Sequence, residues 1–214
     1  MQMLKHMALG LAILAAPVAV NAAPLTGSID FGGLFRGTDA SGNNVRLVDA
    51  AAIDFCANIT GPCVTGAGGS FRVDQTNPSG NMPVSAGDTG AIQDFNFASF
   101  AGPIADFFTV GGVSFDLNSI NTTQFSTPPA AEGAYETDYL LINGVGTLRA
   151  AGFDPTSGTF TFSGQTDGVN LVGTFTFSGG SAALPGQVPV PAPAGLALLG
   201  AGLLGLGFVR RKAA

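Results

Sequence analysis

Tryptophan is absent from this chain, and histidine occurs once, at His6. Between Ala23 and Gly186 there is no lysine and no histidine at all. Those gaps remove whole classes of chemistry. Ser-His-Asp, Cys-His and Ser-Lys nucleophilic systems need a nitrogen base that this stretch does not supply. Zinc sites built on histidine are excluded, as is a Gly-rich phosphate loop closed by lysine. Charge is scarce as well: 10% of residues are Asp, Glu, Lys or Arg, against about a quarter in ordinary domains. It is also one-sided. Residues 23–186 hold all fourteen acids of the chain but only Arg36, Arg46, Arg72 and Arg149, which leaves ten net negative charges. A domain this acidic repels nucleic acid. It attracts cations and stays soluble through self-repulsion.

Cysteine is nearly missing. Cys56 and Cys63, in CANITGPC, are the only two. The spacing is not Cys-x-x-Cys and no histidine is at hand, which argues against a redox or metal pair. A close, even pair in an exported chain predicts a structural disulfide. Closing a loop of this length contributes about 2–3 kcal/mol in the chain-entropy model.

What the chain has in excess is glycine, 32 residues, and phenylalanine, 17. From Ala23 to Ser181 the apolar pattern has mainly a period of two, as in SIDFGGLF, NVRLVD, SFRVDQT and GVSFDLNSI. That period places one set of side chains on one face of a strand. The stretch LVDAAAIDF reads as strand, kink, strand. GTFTFSG occurs at Gly158–Gly164 and again at Gly173–Gly179. The copies predict two antiparallel neighbours, with Phe160, Phe162, Phe175 and Phe177 facing the core and Asp167-Gly168 in the turn. A second hairpin is expected in FFTVGGVSFDL, with Gly111-Gly112 at its tip. About ten such runs, separated by Gly, Asn, Asp, Ser and Pro clusters, predict an all-β fold, an antiparallel β-sandwich of jelly-roll type over residues 23–183.

Both ends read as addresses. Residues 1–22 carry a short basic region with Lys5, the apolar run Ala8–Val20 and the small-residue sequence VNAAP, the three parts of a secretory signal peptide cut after Ala22. Residues 184–193 form a Pro-rich, semi-extended spacer. Residues 194–214 begin with Ala194–Val209, which has no charge and no proline. As a helix this run is about 24 Å long, short for a membrane span. Its five glycines weaken it further. Arg210, Arg211 and Lys212 follow as a stop that keeps the far end cytoplasmic.

The order of these parts, Val188-Pro189-Val190-Pro191-Ala192, then a hydrophobic helix, then the Arg-rich stub, resembles the PEP-CTERM sorting signal in its VPLPA-type variant, with Val190 where leucine is usual. The resemblance covers about the last 27 residues. It implies recognition of the Pro motif by an exosortase, a membrane-embedded cysteine transpeptidase of Gram-negative bacteria. It also implies transient anchoring in the inner membrane, removal of the tail, and delivery to the cell surface or the extracellular polymer matrix. On that reading the chain is the enzyme's substrate.

Two kinds of chemistry remain for the domain. A glycosidase needs two facing acids, and Glu132 with Glu136 is such a pair, but both lie in a Pro/Ala loop with only Tyr135 and Tyr139 available to stack on sugars. An enzyme is therefore not expected. In GTDASGNN, Asp39, Ser41 and Asn43 offer oxygens for calcium, although Asn44 stands where a calcium loop has glycine and no glutamate closes the loop. Solvated Asx turns account for the same residues without a metal. No other cofactor is implied. The expected function is structural or interactive, at the cell surface or in the matrix. The alternative is a carbohydrate-binding module for an exopolysaccharide, using an exposed groove near Tyr135 and Tyr139.

Overall fold

The computed structural model describes residues 22–66, 68–167 and 172–181. The expected signal peptide, the sorting motif at Val188–Ala192, the helix over 194–214 and its stop at Arg210, Arg211 and Lys212 lie outside these residues. Ala23–Leu184 gathers into one compact unit. Its strands are β1 (Ala23–Pro24), β2 (Ser28–Thr38), β3 (Asn44–Val45), β4 (Ala52–Phe55), β5 (Gly69–Pro78), β6 (Thr89–Ile92) and β7 (Phe95–Asn96). The second half adds β8 (Ile104–Val110), β9 (Val113–Ser126), β10 (Thr137–Ala150), β11 (Phe153–Asp154), β12 (Thr156–Asp167) and β13 (Val172–Ser181). The one helical feature among the described residues is a 3-10 turn at Leu47–Asp49. No helix among them is long and apolar enough to cross a membrane.

The fold is all-β and its main sheet is antiparallel, with a short parallel pair of β1 and β11 apart from it, but the eight main strands do not divide into the two layers of the expected jelly-roll sandwich. They run β2–β13–β12–β10–β9–β8–β6–β5 and return to β2, so the sheet closes into a barrel. The closing strand is β2. It pairs with β13 from Ser28 to Arg36. On its other edge it pairs first with β5, at Ile29–Gly33, and then with β4, at Phe35–Thr38. A strand flanked along its whole length leaves no open edge, and a closed sheet escapes the exposed-edge liability of a sandwich. Alternation of apolar and polar residues is the same in both architectures, which is why the pattern alone pointed to a sandwich and did not reveal the closure.

Closure explains the composition. An eight-stranded barrel is just wide enough for side chains to fill it, and here the filling is phenylalanine. Phe31 stacks on Phe71 with ring centroids 3.8 Å apart, and Phe108 on Phe115 at 5.2 Å. The glycines are the counterpart. On β10, Gly144 and Gly146 face inward, and a Cβ on either would stand 2.1 Å from the Phe160 ring or 2.3 Å from the Phe115 ring. Ring and missing side chain are complementary volumes, which is how an interior reaches close packing. Outward positions on β12 are Ser157, Thr159, Thr161, Ser163, Gln165 and Asp167. That is the inverse of a membrane barrel, where the outward positions are the apolar ones.

The hairpin expected at Gly111-Gly112 forms, and the two strands of the other expected hairpin pair, while its turn and the side chains of Phe175 and Phe177 lie outside what the structure describes. Val110 pairs with Val113 across Gly111-Gly112. The duplicated segments pair antiparallel, with Phe162 opposite Phe177; residues 168–171 between them lie outside the described residues. LVDAAAIDF differs in its first part. Leu47–Asp49 is a 3-10 turn rather than a strand, because fully buried Leu47 turns inward to pack on the barrel core. One irregularity escapes a two-residue pattern. Phe107 and Phe108 are adjacent yet both buried. A register shift in β8 between Ile104 and Phe108 makes that possible, with Asp106 at φ 49. Gln93 Nε2 donates to the carbonyls of Ala105 and Asp106, and the Asp106 N–H donates to Asp116, so the bulge is pinned from the connection after β6 and from β9.

Candidate functional site

The disulfide segment leaves β4 and lies against the outside of the barrel. Cys56 and Cys63 are bonded, with Cα atoms 5.1 Å apart. The loop between them is organised by one amide. Asn58 Nδ2 donates to the carbonyls of Thr60 and Pro62, both at 2.7 Å, and Asn58 Oδ1 accepts the Val64 N–H at 2.8 Å. Gly61, at φ 87, supplies the turn that a side chain would resist. The Ala57 N–H donates to the Val64 carbonyl and closes the base. Asp94 ties the segment down by accepting the N–H groups of Phe55 (2.7 Å) and Gly68 (3.0 Å). Arg36 donates to the Cys63 carbonyl at 3.1 Å.

Between this loop and the outer face of β5, β6 and β8 runs an open groove of about 700 Å³. Its polar lining includes Thr60, Ser70, Thr89 and Thr109, and the Gly111-Gly112 turn forms one rim. No charged or aromatic side chain lines it.

Beside the loop, the charges are poorly compensated. Arg36 and Asp54 are register partners on β2 and β4, yet Arg36 Nε and Asp54 Oδ1 are buried without a hydrogen-bond partner. Burial pushes the Asp54 carboxyl above its ordinary value, against the pull of Arg36. Burial raises Asp94 too, and the two N–H groups it accepts offset this only in part. Desolvation of a carboxylate favours its neutral form.

A second cluster joins β10 to the 3-10 turn. Asp138 is fully buried and receives Arg46 through Nε at 2.9 Å and a terminal nitrogen at 2.6 Å. Thr127 Oγ1 donates to it at 2.8 Å. Arg46 reaches Glu136 as well, at 3.0 Å. The Arg46 hydrogen bonds hold the Asp138 carboxyl below its ordinary value, and the same bonds raise the guanidinium. This is a structural clasp. It fixes Arg46 immediately before the buried Leu47 and leaves no free acid–base pair.

The residues expected from sequence scatter. Asp39, Ser41 and Asn43 form the turn between β2 and β3. The Asp39 carboxylate accepts the N–H groups of Ser41 and Asn43 and the Asn43 amide; the Asn43 bonds above all keep that carboxyl below its ordinary value. An Asx turn accounts for that geometry without a cation. Among the described residues no three His, Cys, Asp or Glu side chains converge as a metal site would require. Glu132 is exposed in a loop, whereas Glu136 is committed to Arg46. Tyr135 and Tyr139 are exposed, but neither lines the groove.

No protein family, curated protein or solved structure matches this chain. The groove was not visible in the sequence. Thr60, Ser70, Thr89 and Thr109 come from one loop and three strands, and the pairing of β5, β6 and β8 together with the disulfide brings them together.

Proposed function

We propose that the chain is an exported protein of the cell surface or extracellular matrix, with a structural or interaction role and no catalytic one. Its C-terminal segment is the substrate of an exosortase-type enzyme in the inner membrane of a Gram-negative bacterium. The observation that carries the exported reading is the Cys56–Cys63 disulfide, since such bonds persist in oxidising compartments. A barrel with polar outward positions on β12 and inward phenylalanines such as Phe31, Phe71, Phe108 and Phe115 supports a passive role as a stable shell. The Pro motif at Val188–Ala192, followed by an apolar run and Arg210–Lys212, supports the sorting step.

Intact mass of the protein recovered outside the cells tests this. The expected species lacks residues 1–22 and ends ahead of Arg210. An exported form that retains Arg210–Ala214 would refute the sorting step. A cytosolic protein with both termini intact would refute export itself.

A further inference from the structure

We propose that the groove between the disulfide loop and the outer face of β5, β6 and β8 binds a neutral glycan chain. This names a partner for the surface role proposed above and rests on it only for the setting in which the two would meet.

Four hydroxyls, those of Thr60, Ser70, Thr89 and Thr109, line the groove, and none is engaged in a hydrogen bond among the described residues. They are the groove's principal free polar side-chain groups, because much of the strand backbone beneath is paired. β6 lies between β5 and β8, with Ser70 opposite Ala91, Phe71 opposite Gly90, and Ala91 opposite Thr109. A strand paired on both edges cannot take a peptide by strand addition. Asn58 is consumed in holding the loop. A ligand must therefore exchange hydrogen bonds with hydroxyls, and a polyol matches that requirement, each sugar hydroxyl serving as donor and acceptor.

Charge selects within that class. The groove has no ionised side chain, and the domain around it carries ten net negative charges. Acidic polysaccharides meet that net negative charge, which Arg72, exposed on β5 opposite Thr89, offsets only in part. Shape selects further. The groove is open to solvent rather than enclosed, which suits the interior of a chain passing along the surface. At Gly112 a side chain would project into empty space, so this rim presents bare backbone to a ligand. The groove has no ring on which a sugar can stack, and affinity is accordingly weak, on the order of 1 mM for a short oligomer.

The disulfide makes the site conditional. Ala57–Thr60 forms one wall, and Cys56–Cys63 closes the loop that contains it. Reduction frees that wall, so the oxidised protein is the binding form.

The test uses the full oxidised chain in a zwitterionic detergent without a sugar headgroup, followed through its backbone amide shifts. The probes are maltohexaose and cellohexaose, with hexagalacturonate as the acidic comparator. At least one neutral hexasaccharide is expected to shift the amides of Ala91, Thr109, Gly111 and Gly112, and the acidic one is expected to leave them unmoved. Thr89→Val and Thr109→Val keep the β-branched shape and remove one hydroxyl. Each should weaken binding about fivefold, the loss of roughly one neutral hydrogen bond. Ala91→Arg, at an exposed position of the groove, should abolish binding, and reductant should weaken it. The proposal is overturned if neither neutral hexasaccharide moves these amides, if hexagalacturonate binds as tightly, or if Ala91→Arg binds like the parent. Shifts centred on Tyr135 and Tyr139 would also overturn the groove while leaving the surface role intact. Cytosolic retention with intact termini would sink that role without touching the groove.

Discussion

Along β9, β10 and β12 the barrel wall is built from volumes that fit: Gly144 beneath Phe160, Gly146 beneath Phe115. Its buried acid, Asp138, is fully hydrogen-bonded. The flap formed by β4 and β7, with the loop that follows β4, is built differently. It rests on a covalent bond, on the N–H groups that Asp94 accepts, and on an Arg36–Asp54 pair in which two buried polar atoms go unanswered. The wall is held by packing and its buried carboxylate is paired, although the buried Thr166 hydroxyl on β12 has no hydrogen-bond partner. The flap is held by a staple and tolerates unsatisfied charge. Packing of the first kind gives a rigid shell. The second kind gives a region whose stability depends on redox state and pH, and that region borders the groove.

The contrast is broken most severely from the wall side. Gly144→Ala would place a methyl 2.1 Å from the Phe160 ring and 2.4 Å from the Ser119 carbonyl oxygen. The ring lies in a filled interior and the carbonyl is backbone, so neither yields cheaply. The expected loss is about 3 kcal/mol of global stability, read as a lower midpoint in denaturant with the slope unchanged. A neutral result would mean that the interior is looser than the ring contacts imply.

The flap should respond differently to the loss of its staple. Cys56→Ser with Cys63→Ser is expected to cost about 2.5 kcal/mol by loop entropy. The loss should be local first. Amide exchange should quicken at Ala57, Val64 and Ser70 before it quickens along β10 and β12. If all amides accelerate together, flap and wall are one cooperative unit and the distinction falls.

These two sites also show what a reader of the sequence can and cannot see. The FTF repeats and the Gly111-Gly112 turn were legible because each is a local rule, period two for strands and paired glycines for a tight hairpin. The disulfide was legible from two cysteines and a spacing. Closure of the barrel was not, because the alternation of β2 is the same whether its partner is β5, β4 or β13, and the strand in fact takes all three. The bulge at Asp106 was hidden because two adjacent phenylalanines look like a fault in alternation until Gln93 arrives from the connection after β6 and Asp116 from β9. The glycines were read as turns and looseness. Gly144 and Gly146 are instead inward positions whose reason lies on the neighbouring strands, in the Phe160 ring of β12 and the Phe115 ring of β9.

The smallest expected effect is the most discriminating, because its sign differs between wall and flap. The folded value of Asp54 lies above its ordinary 3.8, so just above that pH the native state keeps a proton that the unfolded chain has released. Stability therefore falls as pH rises through the window between the two values, and stays reduced above it. Asp94 acts in the same direction. Asp138 acts in the opposite one. Its folded value lies below 3.8, so its contribution is fully present above that pH and is lost as the solution is acidified through the folded value. Asp54→Asn should raise stability at neutral pH by about 1 kcal/mol, a figure discounted for partial exposure, and the gain should vanish near about pH 3, where the parent carboxyl is protonated. Asp138→Asn should do the reverse, losing about 2 kcal/mol at neutral pH and progressively less as acid removes the parent's advantage. Denaturation midpoints for parent and variants from about pH 3 to about pH 8 would give two difference curves of opposite sign. Curves of the same sign would mean that Arg36 compensates Asp54 as fully as Arg46 compensates Asp138, and that the flap holds its charges no worse than the wall.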